Sequence, residues 1–192
     1  MISEHAIQER VRERLSNDPA RFCHIEGVIH HVTELAEIFH ANVQKARISA
    51  WCHDATKGMD PQEEVQQINA FFPDLNLADW PQPTRHALTG VIFAKTDCHI
   101  EDSDILNAIR YHTTGRPKMG KIEKILFVAD FIEESRTFVS KKQRELAKIN
   151  LDLAVLDSLE STIAYLQSTN QPIAQLTFET RDYYRKNKGG SE

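Results

Sequence analysis

Hydrophobic residues recur at helical spacing along nearly the whole chain. Ile7, Val11 and Leu15 lie four residues apart, and a second apolar series from Phe22 to Phe39 keeps a spacing of three and four. Such spacing places apolar side chains on one face of an amphipathic helix. No segment shows the alternating pattern of a strand, so the sequence predicts an all-α domain, a helical bundle.

Capping residues mark the expected helix starts. Asp18 and Asp60 each stand before a proline, which combines an N-cap carboxylate with a first-turn proline. Asn42 can cap a helix that carries His53 and Asp54 near its end. These signals place the neighbouring histidine and aspartate at a helix terminus.

The apolar pattern also predicts the later helices and the extent of the domain. Helices are expected over 84–95, 103–112 and 122–132, then as one long helix from Ser140 through Leu166 and a last one from near Pro172 toward Tyr183. No repeat or linker divides the chain. We therefore expect a single domain over 1–188, with core motifs at about 15–140, C-terminal helices at about 140–188 and a polar tail at 189–192.

Composition indicates an ordinary soluble globule. The chain has 192 residues, of which 41% are hydrophobic and 27% charged, and its net charge of −5 argues against a surface built to bind DNA or RNA. The charged N-terminus is unlike a signal peptide, and no apolar run approaches the roughly 20 residues that span a bilayer. The three cysteines form no CxxC pair, which fits reduced packing thiols in the cytoplasm.

Side chains that bind divalent metals are spread over the predicted helices. His53 and Asp54 are adjacent in SAWCHDATKG, His24 precedes them, and His86, His112 and Asp130 follow. Imidazole and carboxylate groups suit iron, manganese or zinc, and no set of thiolates offers a closed structural zinc site. Helix-borne ligands of this kind can converge inside a bundle, so the residues indicate an open, reactive metal site.

Asp130 lies in a strongly apolar helix, where a carboxylate needs a partner. A cation would compensate its charge. Alternatively, Asp130 caps a helix or pairs with an arginine such as Arg136. His30, His31 and His40 share a helix with His24, but their neighbours predict solvated surface positions rather than ligands.

The order of these residues resembles that of the HD-domain phosphohydrolases, which have a lone histidine, a His-Asp doublet and a distant aspartate. Within that family the chain is similar to the bacterial YqeK branch, the symmetrical diadenosine tetraphosphate hydrolases. The similar segments are RFCHIEGV, CHDATK, RHALTG, AIRYHTTG and EKILFVADFIEESR, which cover residues from about 15 to 140. One departure is that the family usually has a proline between Ile132 and Arg136, where this chain has Glu133 and Glu134.

The resemblance implies a role for each matching residue. One or two iron ions, with manganese or cobalt as substitutes, are expected on His24, His53, Asp54 and Asp130. His86 and His112 either hold a second ion, bridged by Asp54, or bind phosphate oxygens. Contacts with substrate are expected from Arg21, Lys57, Thr113 and Arg136, and with a nucleoside from Ile173, Leu176 and Thr177.

The expected reaction is cleavage of diadenosine tetraphosphate to two ADP by a metal-bound hydroxide, with Asp54 and Lys57 as catalytic residues. The alternatives are another HD phosphohydrolase, such as a nucleoside monophosphate phosphatase, or a non-catalytic nucleotide-binding bundle. The chain has no Glu-Asp pair at the position typical of alarmone hydrolases, and it lacks the Gly-Tyr-Pro signature of cyclic dinucleotide enzymes. The leucines after Leu146 are expected to form core or the face of a homodimer.

Overall fold

The computed structural model describes residues 2–187, and over this range it contains ten α-helices and no strand. The all-α prediction is confirmed, whereas the predicted tail at 189–192 lies outside the described residues. The helices are α1 (Glu4–Arg14), α2 (Pro19–Ile38), α3 (Val43–His53), α4 (Pro61–Phe71), α5 (His86–Thr96), α6 (Ser103–Tyr111), α7 (Lys121–Ile132), α8 (Lys141–Ile149), α9 (Leu151–Ser168) and α10 (Gln175–Lys186). Within residues 2–187, no helix has the length and apolarity needed to cross a membrane.

The predicted caps are present at the start of α2, α3 and α4. The Asp18 carboxylate accepts a hydrogen bond from the Arg21 amide at 3.0 Å, and the Asn42 side chain accepts one from the Lys45 amide at 3.0 Å. Asp60 caps α4 in the same way. Each cap satisfies an amide that has no partner inside the helix, which typically stabilises a helix by about 1 kcal/mol.

The prediction of one long helix after Ser140 is wrong. The helix is broken at Asn150, whose backbone is extended with φ −148° and ψ 106°. The Asn150 side chain accepts a hydrogen bond from the Leu153 amide at 3.0 Å and so caps α9. Leucine and isoleucine continue at helical spacing on both sides of Asn150, and this continuity hides the break. Ile149, just before it, is 76% exposed.

Helices α3 and α7 occupy the middle of the bundle. Helix α3 contacts α1, α2, α5, α6 and α7, while α7 also packs against α2, α6, α8 and α9. Ile48 on α3 and Ile125 and Leu126 on α7 are almost completely buried. Burying a side chain of this size contributes roughly 1.5–3 kcal/mol. This packing brings the C-terminal ends of α3 and α6 and the start of α5 close to the first half of α2 and the C-terminal end of α7.

Two surface and packing predictions need correction. The sequence predicts His31 on the surface, but His31 is only 5% exposed and its Nε2 atom lies 3.7 Å from Glu134 Oε1; His30 and His40 are exposed, as predicted. Cys23 was expected to pack in the interior but is exposed, whereas Cys52 and Cys98 are buried free thiols.

Candidate metal centre

Six predicted ligands converge in two groups of three at the centre of the bundle. The first triad is His24, His53 and Asp130, and the second triad is Asp54, His86 and His112. Within each triad, one nitrogen or oxygen atom per residue lies within 4.8 Å of the others. All six residues are therefore brought together, although Asp54 groups with His86 and His112 rather than with the first triad.

In the first triad, His24 Nε2 lies 3.0 Å from Asp130 Oδ1. Arg136 Nη2 donates a hydrogen bond to the same oxygen at 2.9 Å. The pairing of Asp130 with Arg136 is therefore present, and the same oxygen also contacts a predicted ligand histidine, so the metal-ligand role remains a prediction. Burial alone raises the pKa of Asp130, but His24 and Arg136 hold that pKa well below its usual range, so the group is ionised.

In the second triad, the nitrogen atoms point at one carboxylate oxygen. Asp54 Oδ1 lies 3.2 Å from His86 Nε2 and 3.6 Å from His112 Nε2, and the two nitrogens are 3.1 Å apart. The same oxygen lies 4.0 Å from His53 Nε2 in the first triad. Two ligand atoms that each lie about 2.0–2.2 Å from one ion are separated by roughly 3–3.5 Å, so this spacing suits a shared cation. Asp54 Oδ1 faces both triads.

Hydrogen bonds to backbone carbonyls orient two of the histidine rings. His53 Nδ1 donates to the Ala50 carbonyl at 2.7 Å, and His112 Nδ1 donates to the Ile109 carbonyl at 2.7 Å. A carbonyl oxygen can only accept, so Nδ1 of each ring carries a proton. The Nε2 lone pair of each ring is consequently directed at the triads, as metal coordination requires.

The buried polar atoms at this centre fit a divalent cation. Among residues 2–187, His53 Nε2 and Asp54 Oδ1 are fully buried and make no hydrogen bond. Buried polar atoms without partners are costly, and a cation satisfies an imidazole lone pair and a carboxylate oxygen together. Burial lowers the pKa of both His53 and His86 to about 4, which keeps these rings neutral and able to coordinate a metal near neutral pH.

Three cationic side chains lie beside the ligand carboxylates. Arg21 Nη1 donates to Asp54 Oδ2 at 3.1 Å, and Lys57 Nζ donates to the same oxygen at 3.0 Å. Arg136 contacts Asp130, as described above. The side chains of Arg21, Lys57 and Arg136 remain 26%, 32% and 33% exposed, so they border solvent as well as the centre. An anion approaching the triads would meet these three positive charges.

The loop after His112 provides a further polar group and contacts α10. The Thr113 hydroxyl is buried and makes no hydrogen bond within residues 2–187. Gly115 has φ +64°, and a Cβ there would lie 2.7 Å from Thr180 Cγ2, so α10 packs closely on this loop. Ile173, Leu176 and Thr177 lie at the start of α10 or just before it, and over 2–187 no hydrogen bond or ion pair joins their side chains to the triads.

Glu133 is a neighbour of the centre that the sequence reasoning missed. Its side chain is buried, and its Oε2 atom lies 2.9 Å from His24 Nδ1. The Ser135 amide donates to Glu133 Oε1 at 3.1 Å, and the Ser135 hydroxyl donates to Oε2. The sequence contained one signal for this neighbour. Close to the predicted ligand Asp130, the chain has Glu133 and Glu134 where the family usually has a proline.

The all-α bundle with a buried histidine and aspartate centre corresponds to a known class. The model of the HD domain matches residues 21–162, so the chain belongs to the HD-domain family. HD domains bind divalent metals, in agreement with the donor set described above.

Proteins similar to this chain narrow the class further. A protein of Bacillus subtilis (strain 168), named bis(5'-nucleosyl)-tetraphosphatase, symmetrical, is 39% identical over 165 residues, which cover 85% of this chain and 88% of that protein. A Staphylococcus aureus (strain NCTC 8325 / PS 47) protein of the same name is 28% identical over 167 residues, covering 85% and 86%. The resemblance predicted from the sequence motifs is confirmed.

A solved structure has the same fold over nearly the whole chain. It is described as a "predicted HD superfamily hydrolase involved in NAD metabolism" from Clostridium acetobutylicum. The TM-score is 0.90 at 32% identity, with 97% of this chain and 99% of that chain covered. The HD-type helical bundle is therefore confirmed beyond the segment that the family model matches.

Proposed function

We propose that this protein hydrolyses diadenosine tetraphosphate symmetrically, giving two ADP, at divalent ions held by the two triads. The observation that carries the proposal is the position of Asp54, whose Oδ1 atom faces both triads while its Oδ2 atom binds Arg21 and Lys57. This arrangement supports a polyanion-binding edge beside a metal centre. The 39% identity to a symmetrical bis(5'-nucleosyl)-tetraphosphatase supports the choice of substrate.

The two triads suit two ions better than one. The first triad, with His24, His53 and Asp130, would hold one ion, and Asp54 with His86 and His112 would hold the other. The alternative role for His112, a hydrogen bond donated to a phosphate oxygen, is disfavoured because its Nδ1 proton already binds the Ile109 carbonyl. Its Nε2 atom is then an acceptor, which suits a cation. We propose iron as the native metal, with manganese or cobalt able to replace it.

A divalent ion held by the two triads would lower the pKa of a water molecule and would neutralise charge on the attacked phosphate. The chain itself binds and orients the polyphosphate. Lys57 provides a point charge for a non-bridging oxygen, and the planar guanidinium groups of Arg21 and Arg136 can bind phosphate through two hydrogen bonds. The Thr113 hydroxyl, which has no partner in the described residues, can donate to a further phosphate oxygen.

Products from a substrate panel test this function. The metal-loaded protein is incubated separately with diadenosine tetraphosphate, nucleoside monophosphates and an alarmone, and the nucleotides are separated. Two ADP from the tetraphosphate is the expected result. AMP with ATP, or turnover of monophosphates alone, would contradict the symmetrical assignment and favour another HD phosphohydrolase. Binding without turnover would favour a non-catalytic nucleotide-binding bundle.

We also propose a cellular location, a class of partner and an oligomeric state for this protein. We propose a cytoplasmic enzyme that acts on a nucleotide substrate without a DNA, RNA or membrane partner, in keeping with the net charge of −5 and the buried free thiols of Cys52 and Cys98. A homodimer is also proposed, since Ile149 and Tyr165 expose large apolar surfaces. Sedimentation of the purified protein would test the dimer.

A further inference from the structure

The geometry points to Glu133 as a positioning residue that holds the His24 imidazole in its metal-binding orientation, in a space that Gly27 leaves open. This inference rests on the proposed metal centre. It assigns a role to a side chain that is not itself one of the six ligands.

The contact between Glu133 and His24 fixes which ring nitrogen faces the centre. Glu133 Oε2 lies 2.9 Å from His24 Nδ1, while His24 Nε2 lies 3.0 Å from Asp130 Oδ1 in the first triad. An ionised carboxylate can only accept, so Nδ1 carries the proton that binds Glu133. Nε2 faces the other ionised carboxylate, Asp130, across the ion site, and it becomes a ligand when a cation displaces the proton between them. Carboxylates that accept from a ligand histidine in this way fix its orientation and increase its basicity.

Glu133 is itself held firmly in this position. It follows the last residue of α7, with φ −53° and ψ 145°, so the chain leaves the helix there. Both of its carboxylate oxygens accept hydrogen bonds from Ser135, one from the amide and one from the hydroxyl. The Glu133 backbone carbonyl accepts from the Arg136 amide at 2.9 Å. A buried carboxylate with this many donors has little freedom to turn away from His24.

Gly27 provides the space for this carboxylate. It lies three residues after His24 on α2, so the two positions share one face of the helix. A Cβ atom at Gly27 would lie 2.5 Å from Glu133 Oε1 and 2.9 Å from Glu133 Cγ. Such a contact cannot persist, so the glutamate side chain would have to move and would lose its hydrogen bonds with Ser135 and His24. Because alanine is a better helix former than glycine, Gly27→Ala should displace Glu133 while strengthening α2.

The other oriented rings do not depend on a carboxylate. His53 and His112 each donate to a backbone carbonyl of their own helix, and substitution of a side chain does not remove that acceptor. The orientation of His24 therefore depends on one side chain. Loss of Glu133 should weaken the ion of the first triad and leave the second triad unchanged.

Metal binding can test this role separately from catalysis. The metal-free full-length protein is titrated with Co²⁺, and binding is followed by calorimetry and by the visible absorption of the bound ion, which depends on its ligands. The variants are Glu133→Gln, which keeps the shape of the side chain, and Gly27→Ala, which keeps the glutamate. Glu134→Gln is the matched control, since the neighbouring carboxylate is largely exposed and makes no contact with His24. Glu26→Ala is the control on α2, where Glu26 is exposed.

Both test variants are expected to weaken one binding step by roughly tenfold or more, as is usual when a partner of a ligand histidine is lost. This step should be the one that His24→Ala removes, and the cobalt spectrum should change only for that ion. The controls should match the unmodified protein, and circular dichroism should show equal helix content.

A well-folded Glu133→Gln protein with unchanged affinities and spectrum would overturn the inference. Ser135→Ala would replace Glu133→Gln if that variant failed to fold. Failure of the unmodified protein to bind Co²⁺ would overturn the metal centre as well, whereas Co²⁺ binding without tetraphosphate hydrolysis would reject only the proposed reaction.

Discussion

Lys57 Nζ lies 3.0 Å from Asp54 Oδ2, on the opposite side of the carboxylate from the oxygen that faces the two triads. One carboxylate therefore joins a cationic side chain to the metal centre. Burial alone raises the pKa of Asp54, but neighbouring histidines and Lys57 hold that pKa well below its usual range. The carboxylate is consequently ionised throughout the pH range in which the protein is expected to work.

Replacing Lys57 should reduce turnover more than metal binding. In Lys57→Met the apolar stem is kept but the charge that can meet a phosphate oxygen is lost, and removal of one such donor typically lowers kcat by about 10²–10³-fold. Steady-state kinetics and metal content of the same preparation provide the measurement. Lys45→Met is the control, because Lys45 pairs with Asp102 and Asp104 on the surface. Equal losses in the two variants would argue against a role for Lys57 at the centre.

Replacing a buried ligand should abolish hydrolysis and leave the fold in place. His53→Ala removes a ligand nitrogen together with one hydrogen bond to the Ala50 carbonyl, and Asp54→Asn removes the charge that pairs with Arg21 and Lys57, whereas the surrounding helices are held by the apolar core. We expect background activity, reduced metal content and nearly unchanged helix content by circular dichroism. His30→Ala, at an exposed position of α2, should behave like the unmodified protein. Undiminished turnover in either ligand variant would refute the assignment of the centre.

Metal removal should abolish activity reversibly and lower thermal stability. Ions that bind the folded chain alone stabilise it by RT ln(1 + [L]/Kd), which amounts to about 2.7 kcal/mol at a concentration 100 times Kd. After exhaustive chelation we expect no hydrolysis, a lower Tm, and recovery of both on addition of iron, manganese or cobalt. Calorimetric scans and product assays before and after addition test this. Full activity in the chelated protein would contradict it.

His31 should make the protein less stable in acid. Burial, followed by the charge of His30, lowers the pKa of His31 below 6.5, and neither ring nitrogen has a hydrogen-bond partner within residues 2–187. Because the unfolded chain then binds the proton more tightly, the free energy of unfolding falls as the pH falls below about 6.5, and levels off below the folded pKa. Urea unfolding at about pH 7.5 and about pH 5.5 measures this change.

The matched variant is His31→Leu, which replaces an unsatisfied ring with an apolar side chain. It should raise the free energy of unfolding by about 1 kcal/mol near neutral pH and reduce the dependence on pH. His5→Leu, at an exposed position of α1, should show neither effect. If His31→Leu keeps the full sensitivity to acid, then that sensitivity arises from titratable groups other than His31.

Local signals predicted much of this molecule. The caps at Asp18 and Asn42 depend on a few neighbouring residues, so the sequence alone predicts them. The candidate ligands could be recognised because histidine and aspartate are residue types that bind divalent metals. The break at Asn150 was hidden because its flanking leucines keep helical spacing. The burial of His31 and the contact of Glu133 with His24 arise from packing between distant segments, which the spacing of residues along the chain does not encode.

The arginine beside Asp130 bears on whether the chain folds before or after it binds metal ions. Two carboxylates enclosed without compensation would oppose folding, yet Arg136 neutralises Asp130, and Arg21 with Lys57 neutralises Asp54, through contacts made entirely by the chain. We therefore expect the newly made polypeptide to reach its compact form without ions, at reduced stability, and to acquire them afterwards, so that cellular metal supply would govern its activity more than its folding.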